Sequence, residues 1–302
     1  MNSLSGLALH SGVPSTLSAV RRAEDHQGLR FFWPGFDQPL SGADLAGLRR
    51  TARRATVLEG TSNAARGAEG DKAVIRTPEH LLAAALFFAD APLDILCTAA
   101  EPPGLDGSAL PFYRMLADVS AAWRAREYKS DLEWEYEGPE GSLRARPHTH
   151  FSVDYTWEDG DVSQHFELAR AEDVPIEVLP ARTFILYRDY EKLTANVTGN
   201  HTEKLLGGAG AESGLLLATT PDEFARAKAK LPDSRGKTYP LIHPEFARFE
   251  NEAARHKVLD LLGDLALNGL ALPRLHLTIR NGGHALNHLL LDRLQGESHS
   301  IS

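Results

Sequence analysis

The chain has 302 residues, 42% of them hydrophobic and 24% charged, with a formal net charge of −9 at pH 7. This is the balance of an ordinary globular protein with room for about two domains, and the negative charge argues against general nucleic-acid binding. A single cysteine, Cys97, excludes an internal disulfide and any multi-cysteine zinc site.

In chain order, the N-terminal MNSLSGLALHSG lacks a basic region followed by an apolar stretch, and no run of about 18 apolar residues occurs anywhere. A cytoplasmic protein with no stable membrane insertion is therefore expected. LRRTARRAT (48–56), the one basic cluster, reads as a solvated face, although a phosphate-bearing ligand could use its arginines. TPEHLLAAALFFA (77–89) predicts a helix with Thr77 as N-cap and Pro78 at the first helical position. PLDILCTAA (92–100) is a strand candidate with Cys97 as a small buried hydrophobe, followed by a Pro/Gly-rich turn (101–112) and a helix, YRMLADVSAAWRARE (113–127). The polar EYKSD stretch then marks a boundary, giving expected domains 1–128 and 129–302.

In the second half, LEWEYEGPEGSLRARPH predicts a hairpin around Gly138 and Gly141. Phe151, Val153, Tyr155 and Trp157 alternate with polar residues, as in a half-buried strand. His148 and His150 form an H-x-H on the polar side of that alternation, read as exposed strand histidines rather than metal ligands. The N-x-T sequons at Asn196 and Asn200 read as chance, and LLGGAGAESG (205–214), which lacks the spacings of phosphate-binding loops, reads as a close-packed loop. Helices are expected at PDEFARAKAKL and over about 245–267, then a strand LHLTIR (275–280) and a final helix after NGGH.

The informative stretch is HKVLDLLGDL (256–265). At about 100° per residue, Val258, Leu259, Leu261, Leu262 and Leu265 share one face, while His256, Lys257, Asp260 and Asp264 share the other. The spacing allows either a solvated face with weak i,i+4 pairing or a His256/Asp260 pair aimed at one metal ion. Choosing between them requires a third ligand. His80, in the first turn of the earlier helix, supplies a candidate, whereas its neighbour Glu79 is also explained as a charge favoured at a helix N-terminus. Two histidines and one carboxylate would form the ligand set of a catalytic zinc with one open position, and the same set would suit non-haem Fe(II). Thirteen histidines keep metal chemistry open.

TPEHLLAAAL, DGSALPF (106–112), ARTF (181–184), NEAARHKVLDLLGDLALNG (251–269) and RNGGHALNHLLL (280–291), with GLALHSG (6–12) before them, resemble in order the signature blocks of the UDP-3-O-acyl-N-acetylglucosamine deacetylase family. The resemblance implies an α+β fold of two similarly built domains, each layering a small sheet against helices, with the active site between them. It implies a monomeric, zinc-dependent deacetylase of an acylated UDP-amino sugar, acting early in lipid A biosynthesis. It also implies zinc bound by His80, His256 and Asp260, with Fe2+ possible in its place. Glu79 would be the general base and His284 the general acid. Asp264 would orient His284, Lys257 would contact substrate or the developing oxyanion, and Thr183 would donate to that oxyanion. Part of 188–215 would line a passage for the acyl chain.

The chain departs from the family pattern at Ile185 in ARTFILY, where a glycine is usual, in the NEAARHK run, in the long segment 57–76, and in YTWEDGDVSQHF, which lacks a His-Pro. These departures leave room for a deacetylase of another N-acetylated sugar nucleotide. A noncatalytic sugar-nucleotide binder is a further alternative, against which the presence of both proton-transfer groups argues.

Overall fold

A computed structural model describes residues 2–23, 27–52, 55–61, 72–195, 214–230 and 247–298. The sequons, residues 205–213 of the predicted loop, and Arg53 and Arg54 lie outside the described residues. The first half runs β1 (Ser3–Leu7), β2 (Pro14–Arg21), β3 (Arg30–Phe32), α1 (Gly42–Ala46), β4 (Arg49–Ala52), β5 (Thr56–Thr61), β6 (Lys72–Arg76), α2 (Glu79–Ala85), β7 (Leu93–Cys97) and α3 (Leu110–Ala117). The second runs β8 (Arg126–Tyr128), β9 (Trp134–Gly138), β10 (Gly141–Pro147), β11 (Ser152–Asp159), β12 (Val162–Leu168), α4 (Val174–Glu177), β13 (Phe184–Leu186), α5 (Tyr187–Ala195), β14 (Leu215–Leu217), α6 (Pro221–Lys230), α7 (Glu252–Leu265), β15 (Ala271–Pro273), β16 (Leu275–Arg280) and α8 (His284–Ser298).

The architecture is α+β. In the first half a sheet of order β1-β2-β7-β3 and a three-stranded sheet β4-β5-β6 accompany α2 and α3; in the second, a sheet of order β12-β11-β16-β10-β9 accompanies α7 and α8. The period-two pattern sets the larger sheet, since Phe151 just ahead of β11 and Val153, Tyr155 and Trp157 along it are all buried. The predicted hairpin is present, with Gly138 opposite Gly141 across β9 and β10. The expected domain limit falls at the end of β8, which pairs in parallel with β15, and one apolar core runs through both halves.

Two helices lie at the centre of that core. All seven residues of α2, EHLLAAA, are buried, and in α7 only Arg255 and Lys257 escape burial. Three alanines make α2 thin, and Gly263 of α7 completes the close approach: a Cβ built there would lie 2.1 Å from the Glu79 carbonyl oxygen. The crossing thus brings the backbones of α2 and α7 nearly into contact.

Three local expectations are corrected. Thr77 is not an N-cap: its φ is +50° and its hydroxyl donates to Glu101 Oε1 at 3.0 Å, so the side chain is already used. The helix expected over 113–127 instead begins at Leu110 and ends at Ala117, leaving Trp123 in an exposed connection. The basic cluster is not uniformly solvated either, because Arg50 is mostly buried and donates to Gln295 Oε1 at 3.0 Å and to Asp292.

Candidate active site

The α2/α7 crossing gathers three buried groups, His80, His256 and Asp260, whose ligand atoms all lie within 4.8 Å of one another. His256 Nε2 is 3.3 Å and His80 Nε2 3.7 Å from Asp260 Oδ1, and the two imidazoles stand edge to face at 5.0 Å between centroids. The Ala181 carbonyl lies 3.2 Å from His256 Nδ1 and can only accept, so Nδ1 carries the proton and the Nε2 lone pair is directed at the cluster. Burial lowers the His256 pKa against the pull of Asp260, which keeps the ring in the neutral, ligating form. Burial opposes charge on Asp260 as well, but His256, Lys257 and His284 outweigh it and hold the carboxyl well below the usual range. Two imidazoles beside an ionised carboxylate are a donor set that suits a divalent metal. The solvated-face reading of HKVLDLLGDL is thereby overturned: His256, Asp260 and Asp264 are 2%, 3% and 0% exposed.

Around this cluster stand two proton carriers. His284, the first residue of α8, places Nε2 3.7 Å from Glu79 Oε1 and 3.8 Å from Asp260 Oδ2. Its other nitrogen, Nδ1, donates to Asp264 Oδ2 at 2.8 Å. Burial penalises the imidazolium, but Asp264, Asp260 and Glu79 outweigh that penalty and push the His284 pKa up to about 10. Glu79 is driven in the same direction by burial, offset in part by His284, so its carboxyl is raised to about 8. Glu79 Oε2 is buried without a hydrogen-bond partner among the described residues, so one carboxylate oxygen stays free to take up a proton.

The remaining predicted residues border the cluster. Lys257 Nζ donates to Asp260 Oδ2 at 3.0 Å and sits 5.3 Å from the centroid of the Phe184 ring. Thr183 follows Ala181 by two residues, and its backbone is fixed by Gly107 O and by the Leu215 amide. Phe184 faces Trp157 and His256, with centroids 5.2 and 6.2 Å away. Ile185 instead packs on a second small cluster of Tyr187, Leu216 and Ala227. Its departure from glycine thus serves the packing of β13 on β14 and its flanking helices. His148 and His150 lie in the β10–β11 connection near His276, outside the buried cluster.

Sequence reasoning missed three residues. Asn287 Nδ2 donates to Asp264 Oδ2 at 2.8 Å, Thr56 Oγ1 donates to Asp264 Oδ1 at 2.5 Å, and His288 Nε2 lies 2.9 Å from Thr56 Oγ1. For Asn287 and His288 a signal existed, because they follow His284 at i+3 and i+4 on one helix. Thr56, 208 residues from Asp264, offered none.

A family model described as UDP-3-O-acyl N-acetylglycosamine deacetylase matches residues 1–228 and 237–296. Among curated proteins, the UDP-3-O-acyl-N-acetylglucosamine deacetylase of Anaeromyxobacter dehalogenans (strain 2CP-C) is 30% identical over 97% of this chain and 84% of its own length. That of Myxococcus xanthus (strain DK1622) is 31% identical over 98% and 84%, and that of Campylobacter curvus (strain 525.92) 32% over 94% and 86%.

Proposed function

Because the chain belongs to the UDP-3-O-acyl N-acetylglycosamine deacetylase family, we propose that it hydrolyses the N-acetyl group of UDP-3-O-(3-hydroxyacyl)-N-acetylglucosamine to release acetate in lipid A biosynthesis, with one zinc ion as cofactor. The observation that carries this reading is the buried pair of Glu79 and His284, 3.7 Å apart, against the donor set of His80, His256 and Asp260. The set fits a metal on its own chemistry: two imidazoles and an ionised carboxylate converge, and beside them stands a Glu79 carboxylate oxygen with no hydrogen-bond partner among the described residues. Such an ion, held by His80, His256 and Asp260, would supply Lewis acidity to activate a water and polarise the acetyl carbonyl.

The protein's own residues divide the proton work. Glu79 accepts a proton from the attacking water as its oxygen bonds to the acetyl carbon. His284 then delivers the proton on Nε2 to the sugar nitrogen as the C–N bond breaks, so acetate and a free amine leave. Asp264, bound to Nδ1, orients the ring and favours its cationic form. Lys257, and the Thr183 hydroxyl, stabilise the negative oxygen of the tetrahedral intermediate. In this reading, Phe184 and the β13/β14 unit with its flanking helices border the acyl passage, and the protein works as a cytoplasmic monomer. Among the described residues no helix is long and apolar enough to cross a membrane.

The test is kinetic and analytical. Glu79→Ala and His284→Ala are each expected to lower kcat roughly 10²–10⁴-fold with bound zinc unchanged. A fully active Glu79→Ala protein would remove Glu79 from the role of base.

A further inference from the structure

The proton donor of the proposed reaction is held by a carboxylate that is itself held from the other half of the chain. Asp264 is fully buried, and both of its oxygens are engaged. Oδ2 accepts from His284 Nδ1 and from Asn287 Nδ2, each at 2.8 Å. Oδ1 accepts from the Thr56 hydroxyl at 2.5 Å. A threonine hydroxyl has one proton to give, so once that proton is directed at Asp264 the oxygen can only accept from His288 Nε2, 2.9 Å away. The result is a chain of definite polarity: His288 N–H to Thr56 O–H to Asp264, with His284 on the far oxygen.

Thr56 has a second attachment. Its carbonyl oxygen accepts from the Thr77 amide at 2.9 Å, and Thr77 is the positive-φ residue two places ahead of Glu79. One residue of β5 thus ties the start of the helix carrying Glu79 through its backbone, and the carboxylate behind His284 through its side chain.

We infer that Thr56, with His288 behind it, is a positioning residue for the proton donor, its hydroxyl fixing Asp264 so that the imidazole of His284 points Nε2 at Glu79. This rests on the reading of His284 as the acid. A carboxylate deprived of the Thr56 hydrogen bond keeps its place in the core but can rotate about its terminal torsion, and the ring bonded to it turns with it. Asn287 anchors only the oxygen that His284 already uses, so it does not substitute for Thr56.

The experiment uses the full-length, zinc-loaded protein and compares Thr56→Val, Thr56→Ser, His288→Leu and His284→Ala for kcat, KM and metal content. Valine keeps the shape and the backbone bond to Thr77 but loses the hydroxyl. It is expected to lower kcat about 10–100-fold, with KM within about twofold and zinc unchanged. Serine is expected to restore kcat to within about threefold of the parent. A proton NMR resonance of His284 Nδ1–H that shifts in the valine variant and returns in the serine variant would support the same conclusion independently of turnover. If Thr56→Val does not fold, His288→Leu takes its place. His288 borders a cavity of about 280 Å³ lined also by Arg49, Arg50, Asp292 and Gln295, so leucine there has room, and a several-fold lower kcat at unchanged KM is expected. Parental kcat in Thr56→Val, or in His288→Leu where that variant stands in, overturns the inference, as does a serine variant no better than valine. His284→Ala separates the two levels: loss of activity there with a normal Thr56→Val overturns only the role of Thr56, whereas full activity overturns the underlying assignment of the acid and this inference with it.

Discussion

Glu79 and His284 meet in a site that pushes both of their pKa values upward for different reasons. Burial raises the carboxyl to about 8, because little nearby rewards its charge except His284. Three carboxylates raise the imidazolium to about 10 in spite of burial. In the proposed reaction Glu79, as base, must be deprotonated and His284, as acid, protonated, so activity is expected to rise with pH through the Glu79 value and to be lost as pH rises through the His284 value. The order of the two values leaves a window between them in which both groups are in their working forms, and a bound dication moves both limits downward, because it favours the Glu79 carboxylate and disfavours the His284 imidazolium. The pH profile of kcat/KM is therefore expected to be bell-shaped, and in His284→Gln the alkaline limb should disappear from the residual rate. An unchanged alkaline limb in that variant would assign it to another group. At this scale the sequence was only partly legible. His256 and Asp260 were marked by their spacing, but Glu79 was equally well explained as a helix-terminal charge, and only its burial and the 3.7 Å approach of His284 distinguish the readings.

The element that makes this meeting possible is the α2/α7 crossing. Gly263 is the point of closest approach, and a methyl group there would collide with the carbonyl and Cα of Glu79 at 2.1 and 2.7 Å. Backbone atoms cannot turn aside as a flexible side chain can, so Gly263→Ala must separate the helices. Overpacking of this kind costs about 1–3 kcal/mol, and the separation also pulls Glu79 and His80 away from their partners on α7. A lower urea midpoint together with weakened metal retention is expected. A variant as stable and as well loaded as the parent would show that the helices do not depend on this contact. The α7 pattern could be read in the sequence because apolar spacing reports a helix directly. The boundaries of α2 and α3 could not, since Thr77 is captured by the distant Glu101 and α3 stops at Ala117 ahead of a chain that turns outward at Trp123.

Across the whole molecule, the blocks that carried the family resemblance converge on one region. Arg248 donates to Asp106 Oδ2 at 2.8 Å and to the Pro180 carbonyl at 2.7 Å, and its amide donates to Glu252 Oε2 at 2.7 Å; Arg182 closes the network on Glu252 Oε1 at 2.9 Å. Segments near residues 106, 182 and 252 are thus held together around the start of α7, a relation no local pattern could announce. Because His80, His256 and Asp260, the three groups that could hold a metal ion, come from α2 and α7, an ion bound there would stabilise the packing of the two halves. Removing zinc with a chelator is expected to lower the Tm by about 5–10 °C, an effect that zinc restores and His80→Ala abolishes. Equal melting with and without chelator would mean that the ion does not join the halves. The central claim, hydrolysis of a particular acetamide, is tested most directly by measuring acetate released by zinc-loaded protein from UDP-3-O-(3-hydroxyacyl)-N-acetylglucosamine, with the unacylated sugar nucleotide alongside. Turnover of the acylated compound alone is the predicted result; release of no acetate from either by protein that holds its zinc would contradict it.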